Sequence, residues 1–366
     1  ALEAGIDGSG TLVTISFNVI GTIDQTSILN LVGGKISDFN AQQIIATWVN
    51  SSDTVIELDT TPPTVTINQA AIQNDPTNAE PIVFTVEFNE PVTGFTDEDI
   101  TLNSGTATVT GSGTTYTVSV TGVTGMITVS ASIPAGVAID AAGNPNEASV
   151  SMDDSVDFDD TDLTVTVEQS GIQFDPTNIG PIEFTVTFNK PVSDFTNEDI
   201  TLGGTAVPGT AVVTGSGTTY DVSVAGMIKD GTVIVSIGAG VAHDAAGNAN
   251  LVSTSIDNEV VYDTNGPYDV TNLISPSHPD DKPSATNVVT VSWTDADDAV
   301  SGLAGYSVVW DNNSSTTPDT VKNLDKGVET ATSDVLADGD WWFHIRGVDN
   351  AGNWAEAGKH LGPFVI

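Results

Sequence analysis

The sequence predicts an all-β chain: a tandem string of β-sandwiches arranged as an extended rod. Three observations carry this. β-Branched and aromatic residues alternate with Thr and Ser at period two along most of the chain. A block of about a hundred residues occurs twice. The length of 366 residues, at roughly 100 to 200 residues per domain, makes room for three or four modules.

The repeat is explicit. DPTN at 75–78 leads into PIVFTVEFNEPV and GFTDEDITL, and DPTN at 175–178 leads into PIEFTVTFNKPV and DFTNEDITL. TGSGTTY at 110–116 returns at 214–220, and DAAGN at 140–144 returns at 244–248. An insertion around Val207 and Pro208 accounts for the changed offset. Gly, Pro, Asn and Asp punctuate each copy into short strands, expected in the first copy at about 64–68, 82–89, 99–103, 106–111, 114–121, 126–133 and 147–158. Seven short antiparallel strands in about a hundred residues are the mark of an immunoglobulin-like sandwich, here without a disulfide because the chain has no Cys.

Composition narrows the function. Asp and Glu number 49 against 8 Lys and Arg, a formal charge of −41, which repels nucleic acid and anionic membrane surfaces. A hydrophobic content of 39% separates the chain from acidic disordered polymers. Self-repulsion of this size calls for counter-ions among the carboxylates. With no thiolate available, oxygen-ligated Ca2+ is the expected cofactor. No apolar run approaches the roughly 20 residues of a membrane span, and no leader-like segment opens the sequence at Ala1. The expectation is a mature, extracellular or cell-surface protein. Sequons at Asn50, Asn312 and Asn313 permit N-glycosylation where the source cell performs it.

Residues 60–263, with DTTPPTVT, DPTN, FTVEF or FTVTF, and DAAGN, resemble the bacterial Ig-like repeats of large surface and adhesin proteins. The second copy departs at its start, where DDTDLTVTV stands in place of DTTPPTVTI. Residues 264–366, with WTDADDAVSGLAGYSVVWD and DGDWWFHIRGVDNAGNWAEAGKHLGPFVI, resemble a fibronectin type III-like module of microbial surface proteins. The first 58 residues, with GSGTLVTISFNVIG and NLVGGKISDFNAQQI, resemble the C-terminal half of a cohesin-like sandwich. The domain reading is therefore 1–58 partial cohesin-like, 59–159 first Ig-like repeat, 160–263 second Ig-like repeat and 264–366 fibronectin-like. A half sandwich exposes strand edges. Either the given sequence begins within a domain, or a neighbouring subunit completes the module by strand donation and builds a filament.

An immunoglobulin-like topology gathers the entry linker, the loop between the second and third strands and the loop before the last strand at one pole of each module. The acids lie there. The first repeat offers Asp59, then Asp97, Glu98 and Asp99, then Asp140 and Asn144. The second offers Asp160 and Asp162, then Asn197, Glu198 and Asp199, then Asp244 and Asn248. The terminal module offers Asp263, then Asp295, Asp297 and Asp298, then Asp349 and Asn353. Converging carboxylates favour a cation between them, and Ca2+ takes six to eight oxygens. Asp75 or Asp175, from the opposite pole of the preceding module, is a further candidate ligand. The alternative for all of these is the ordinary solvated turn acid.

Catalysis is not expected. The four histidines are scattered, and acids so abundant give no specific carboxylate pair. The five tryptophans of the terminal module, Trp293, Trp310, Trp341, Trp342 and Trp354, serve either its core or a sugar-stacking platform. The reading is a non-enzymatic surface-layer, filament or adhesin stalk with calcium-stiffened joints. Its expected partners are neighbouring copies of the chain and cell-surface glycans. The rival is a carbohydrate- or protein-binding accessory region of a secreted multidomain protein.

Overall fold

The computed structural model describes residues 59–278 and 282–366, together with four short strands in the first 58 residues. These are β1 (Thr26–Ile28), β2 (Ile36–Ser37), β3 (Gln43–Ile44) and β4 (Ser52–Thr54), with β1 paired antiparallel to β4 and β2 to β3. The cohesin-like half module expected over 1–58 otherwise lies outside the described residues. The chain packs as two compact units. One comprises Ala1–Ala71, Pro81–Thr121 and Ser130–Ser155, and the other Ile72–Glu80, Gly122–Val129 and Val156–Ile366.

The first repeat contains β5 (Val65–Gln69), β6 (Ile82–Val92), β7 (Thr101–Leu102), β8 (Thr106–Thr121), β9 (Met126–Ser132) and β10 (Ser155–Asp159). They form two antiparallel three-stranded sheets, ordered β5-β6-β8 and β10-β9-β7. Along β6 the alternation does what the sequence predicts: Ile82, Phe84, Val86 and Phe88 are buried, while Val83 and Thr85 are half-buried and Glu87 is exposed. Each of those core side chains contributes roughly 1.5–3 kcal/mol by leaving water. At the end of the strand Phe88, Phe95 and Tyr116 meet edge to face, with centroids 5.0–5.9 Å apart. The Tyr116 hydroxyl donates to the Val92 carbonyl at 3.2 Å.

Three expected strands differ from the structure. Residues 106–111 and 114–121 belong to one element, β8, which keeps strand geometry through a sharp bend at Gly111. There φ is +118° and a Cβ would lie 2.5 Å from the Thr115 carbonyl oxygen. The expected strand 147–158 is strand only from Ser155. Upstream, the chain bridges the sandwich edges, Glu147 and Val150 donating to the Pro63 and Val65 carbonyls and Ser149 to Ile133.

The second repeat copies this plan with β11 (Val165–Gln169), β12 (Ile182–Val192), β13 (Ile200–Gly203), β14 (Thr210–Ala225), β15 (Gly231–Ile237) and β16 (Glu259–Tyr262). Its sheets are ordered β11-β12-β14 and β13-β15-β16. Val65 opposite Phe88 becomes Val165 opposite Phe188. Ile82 opposite Val120 becomes Ile182 opposite Val224, so the insertion at Val207 is absorbed without disturbing the register.

The terminal module contains β17 (Thr271–Ile274), β18 (Thr290–Thr294), β19 (Leu303–Asp311), β20 (Leu324–Asp325), β21 (Thr330–Thr332), β22 (Asp340–Asp349) and β23 (Lys359–Val365). Sheets β17-β18-β21 and β20-β19-β22-β23 enclose Val289, Val291, Trp293, Tyr306, Phe343 and Phe364. The three- plus four-stranded plan is that of a fibronectin-like sandwich. Among the described residues no helix is long and apolar enough to cross a membrane.

The bend in β8 generates a prediction. Gly111→Ala must push Cβ against fixed backbone, whereas Gly113, also at positive φ, has open space around it. Gly113→Ala is expected to cost about 1 kcal/mol and Gly111→Ala clearly more, both read as chemical denaturation of the first repeat. Equal losses would remove the close approach from the account.

Candidate metal centres

The DxAGN loops are the framework of each pole. In the first repeat the Asp140 carboxylate accepts the main-chain N–H groups of Ala142 and Asn144 at 2.8 and 2.9 Å, and Gly143 turns the loop at φ +92°. The Asn144 side-chain amide then spends both hydrogens, one on Asp140 Oδ2 at 2.8 Å and one on the Asp59 carbonyl at 3.0 Å. The loop is thereby tied to the linker that enters the module. Asn248 makes the same pair of bonds to Asp244 Oδ2 and the Asp159 carbonyl, at 3.0 and 2.8 Å. Asn353 does so to Asp349 Oδ2 and the Asp263 carbonyl, both at 2.8 Å. One local motif fixes all three poles.

Carboxylates gather on this framework. In the first repeat Asp59, Glu90 and Asp140 each place one oxygen within 4.8 Å of the others. In the terminal module Asp263, Asp298 and Asp349 do the same. Asp140, Asp263 and Asp349 are 4%, 1% and 2% exposed, so they have little water to solvate their charge. At that separation and an effective dielectric of 20, Asp263 and Asp349 repel by about 3 kcal/mol.

The protonation equilibria follow. Loss of water, with the charges of Asp298 and Asp349, pushes Asp263 up. Loss of water, with Asp298, does the same to Asp349 despite the Asn353 hydrogen bonds. Glu90 is raised by desolvation and then by Asp140 and Asp59. Asp140 itself is lowered: desolvation opposes ionisation, and the bonds from Asn144, Ala142 and Gly143 outweigh it.

The second repeat has a different centre. Lys190, on β12, stands where Glu90 stands on β6, exactly one repeat of 100 residues away. Its ammonium donates to Asp159 Oδ2 at 2.9 Å, Asp244 Oδ2 at 3.0 Å and the Thr161 carbonyl at 2.7 Å. Desolvation opposes ionisation of both aspartates, but the bonds from Thr161 and Lys190 lower Asp159, and those from Asn248 and Lys190 lower Asp244. Desolvation likewise opposes the charge on Lys190, and the two aspartates hold its pKa up.

The structure thus brings together Asp59, Asp140 and Asn144, then Asp244 and Asn248, then Asp263, Asp298, Asp349 and Asn353. It does not bring the other candidates to these centres. Asp97, Glu98 and Asp99 form a short 3-10 turn capped by Thr96. Asp97 there accepts Val109 N–H at 2.5 Å, and Asp99 accepts Thr96 N–H at 2.6 Å. Asn197, Glu198 and Asp199 repeat that turn, Asn197 accepting Val213 N–H and Asp199 accepting Thr196 N–H. Asp160 and Asp162 are exposed, and Asp160 accepts Gly125 N–H at 2.7 Å. Asp295 accepts the Tyr306 hydroxyl at 2.8 Å, and Asp297 is exposed. Asp75 and Asp175 are committed elsewhere, to Asp157 N–H at 2.9 Å and Val261 N–H at 2.8 Å.

Sequence reasoning missed three members. Glu90 and Lys190 lie inside a strand pattern, yet their opposite charges in otherwise similar FNEPV and FNKPV segments were a visible signal. Asp159, rather than Asp160 or Asp162, is the residue 100 positions after Asp59.

The DPTN loops dock on the next pole. Asn78 donates its main-chain N–H to the Ala246 carbonyl at 3.0 Å and its side-chain amide to Asn248 Oδ1 at 3.1 Å. Asn178 likewise donates to Asn353 Oδ1 at 2.7 Å. The asparagine that orients a pole's aspartate is therefore also the residue the preceding loop grips.

The histidines have other partners. His344, fully buried, lies 3.2 Å from Asp311 and 2.6 Å from His360, His278 Nε2 donates to the Thr286 carbonyl, and His243 pairs with Asp194. None of the terminal module's five tryptophans is exposed: Trp293 is buried, and Trp310, Trp341, Trp342 and Trp354 are half-buried.

Fold and poles define a tandem protein of immunoglobulin-like and fibronectin-like sandwich modules. The family model of the bacterial Ig-like domain matches residues 59–159, the first repeat. Among solved structures the chain is similar to domains A168–A170 of titin, at 10% identity and a TM-score of 0.36 over 83% of this chain and 98% of that one. It is similar to the FN1–FN3 domains of chicken CNTN1 at 12% identity and a TM-score of 0.26, over 82% and 97% of the two chains. It is also similar to invasin, a bacterial integrin-binding protein, at 14% identity and a TM-score of 0.30, over 83% and 60%. No curated protein matches the chain.

The poles should respond to pH in opposite senses in metal-free buffer. Asp263 and Asp349 have raised pKa values, so the folded terminal module holds protons more tightly than the unfolded chain. Its stability falls as pH rises from the ordinary carboxylate range, about pH 4, through the raised values. Asp159 and Asp244 are lowered, so the second repeat has their contribution above that range and loses it as pH falls through the lowered values. His360, lowered by burial and by His344, acts in the opposite sense in the same module, so the aspartates are read by difference. In EDTA, Asp349→Asn is expected to raise the unfolding temperature of the terminal module, followed by tryptophan fluorescence, more in neutral than in mildly acidic buffer, and an equal change at both pH values would contradict the assignment.

Proposed function

We propose that the chain is a non-enzymatic stalk of an extracellular or cell-surface, adhesin-type protein, with Ca2+ holding the poles of its first repeat and its terminal module. One observation carries the reading. Two poles built on the same loop motif each converge three carboxylates, and among the described residues no Lys or Arg pairs with either trio.

The donor set fits a hard cation. Ca2+ binds oxygens at about 2.3–2.6 Å, so two oxygens on one ion stand no more than about 5 Å apart, the spacing of both trios. Asp59, Glu90 and Asp140 would hold one ion, and Asp263, Asp298 and Asp349 another. A bound dication neutralises each trio, in which Asp140, Asp263 and Asp349 are the carboxylates that burial has stripped of water. In the terminal module it also stiffens the loop that Asn178 of the preceding DPTN segment grips, which turns ion binding there into joint stiffness. The bacterial Ig-like match over 59–159 and the charge of −41 support placement outside the cytoplasm.

The rival reading, a glycan-binding accessory region, draws less support, because a stacking platform needs an exposed ring face and the five tryptophans are buried or half-buried. With calcium at about a hundred times its Kd, each filled site adds about 2.7 kcal/mol, which raises Tm for a module of this size by on the order of 10 °C. Calorimetry in calcium and in EDTA should show that difference, and small-angle scattering should show greater flexibility in EDTA. Identical profiles in the two buffers would refute the calcium reading.

A further inference from the structure

We infer that Lys190 is a tethered counter-ion that makes the pole of the second repeat independent of dissolved metal, so that one strand position decides which of the two repeats answers to calcium at its pole. The contrast between poles rests on the calcium reading above; the role of Lys190 rests on its own contacts.

Those contacts are complete. An ammonium has three N–H donors, and Lys190 places them on Asp159 Oδ2, Asp244 Oδ2 and the Thr161 carbonyl. The remaining carboxylate oxygens are also engaged. Asp159 Oδ1 accepts from the main-chain N–H and hydroxyl of Thr161, and Asp244 Oδ1 accepts from Ala246 and Asn248 N–H. The Lys190 side chain is 12% exposed. A divalent ion entering this pole would have to expel an ammonium already fixed to its neighbours by the backbone of β12.

Charge balance agrees. Two aspartates and one lysine leave a net charge of −2 + 1 = −1 at the second pole. Three carboxylates alone leave −3 at the first and terminal poles, and a dication brings each to −3 + 2 = −1. Glu90 and Lys190 are thus two solutions to one electrostatic problem, one borrowing its cation from solution and the other carrying it on the chain.

The lysine also sits under a joint. Asn248, which orients Asp244, accepts the Asn78 amide, and Ala246 of the same loop accepts Asn78 N–H. The grip of the 75–78 loop on this pole should therefore persist when calcium is withdrawn, while the poles that depend on dissolved ions loosen.

Hydrogen–deuterium exchange on the whole chain, with calcium or EDTA, tests this on the loops 140–146, 244–250 and 349–355. In the native protein EDTA should deprotect the first and third and leave 244–250 unchanged. Lys190→Met should deprotect 244–250 and 76–80 in both buffers, by about tenfold or more, because it strands two carboxylates. Lys190→Glu should render 244–250 sensitive to EDTA, and Glu90→Lys should render 140–146 insensitive. If 244–250 responds to EDTA in the native protein as the other two loops do, the tethered-ion proposal fails while the calcium reading stands. If no loop responds to EDTA, the calcium reading fails, and Lys190→Met still decides: deprotection upholds the lysine's role, and no change overturns it. Should Lys190→Glu not fold, the native and Lys190→Met experiments carry the decision.

Discussion

The poles of the two repeats and of the terminal module gather carboxylates, and the fold takes Asp140, Asp159, Asp244, Asp263 and Asp349 among them out of water. The DxAGN loop turns back on its aspartate, the asparagine ties that aspartate to the incoming linker, and the linker brings a second one beside it. Hydrogen bonds satisfy many of the lone pairs but add no net positive charge. We propose that a cation completes the arrangement, because an uncompensated cluster of like charges poor in water is costly at any realistic interior dielectric. In the second repeat that cation is covalently part of the chain.

This requirement and the joints between modules use the same atoms. The asparagine at the end of each DxAGN loop holds the aspartate with its amide hydrogens, and in the second repeat and terminal module it receives the preceding DPTN loop with its amide oxygen. Anything that stabilises the pole positions the acceptor, and anything that disorders the pole removes it. The sandwich cores contribute the scaffold: β6 and β12 carry Glu90 and Lys190 to the pole immediately beyond a buried alternation of Ile, Phe and Val. A chain without Cys fastens these loops with hydrogen bonds and ion pairs instead of disulfides.

Much of this was legible in the sequence. The repeat, the alternating strands and the recurrence of DxAGN locate the sandwiches and the poles, and Asp59, Asp140, Asp244, Asp263, Asp298 and Asp349 all fall at them. The acids of FTDEDI and FTNEDI were misleading because an acidic turn that caps itself has the same composition as an acidic turn that binds an ion. Thr96 and Thr196 make the difference through geometry that composition does not encode. Glu90 and Lys190 were hidden for the converse reason: a charged residue in a strand pattern reads as a solvent-facing position. The register shifts between Glu87 and Val92, and between Thr187 and Val192, release the strand end that carries them. The strand boundaries at Gly111 and Ser155 were displaced by a bend and by an edge-bridging segment, neither of which alters the alternation that sequence reading relies on.

The central claim is that the fold presents one electrostatic problem at each pole and solves it with a dissolved dication where the strand carries Glu90 or the loop carries Asp298, and with Lys190 otherwise. Anomalous X-ray scattering from crystals grown with a calcium-mimicking lanthanide measures this most directly. The account predicts one peak among Asp59, Glu90 and Asp140, one among Asp263, Asp298 and Asp349, and none between Asp159 and Asp244. A peak beside Lys190, or no peak at either carboxylate trio, would contradict it.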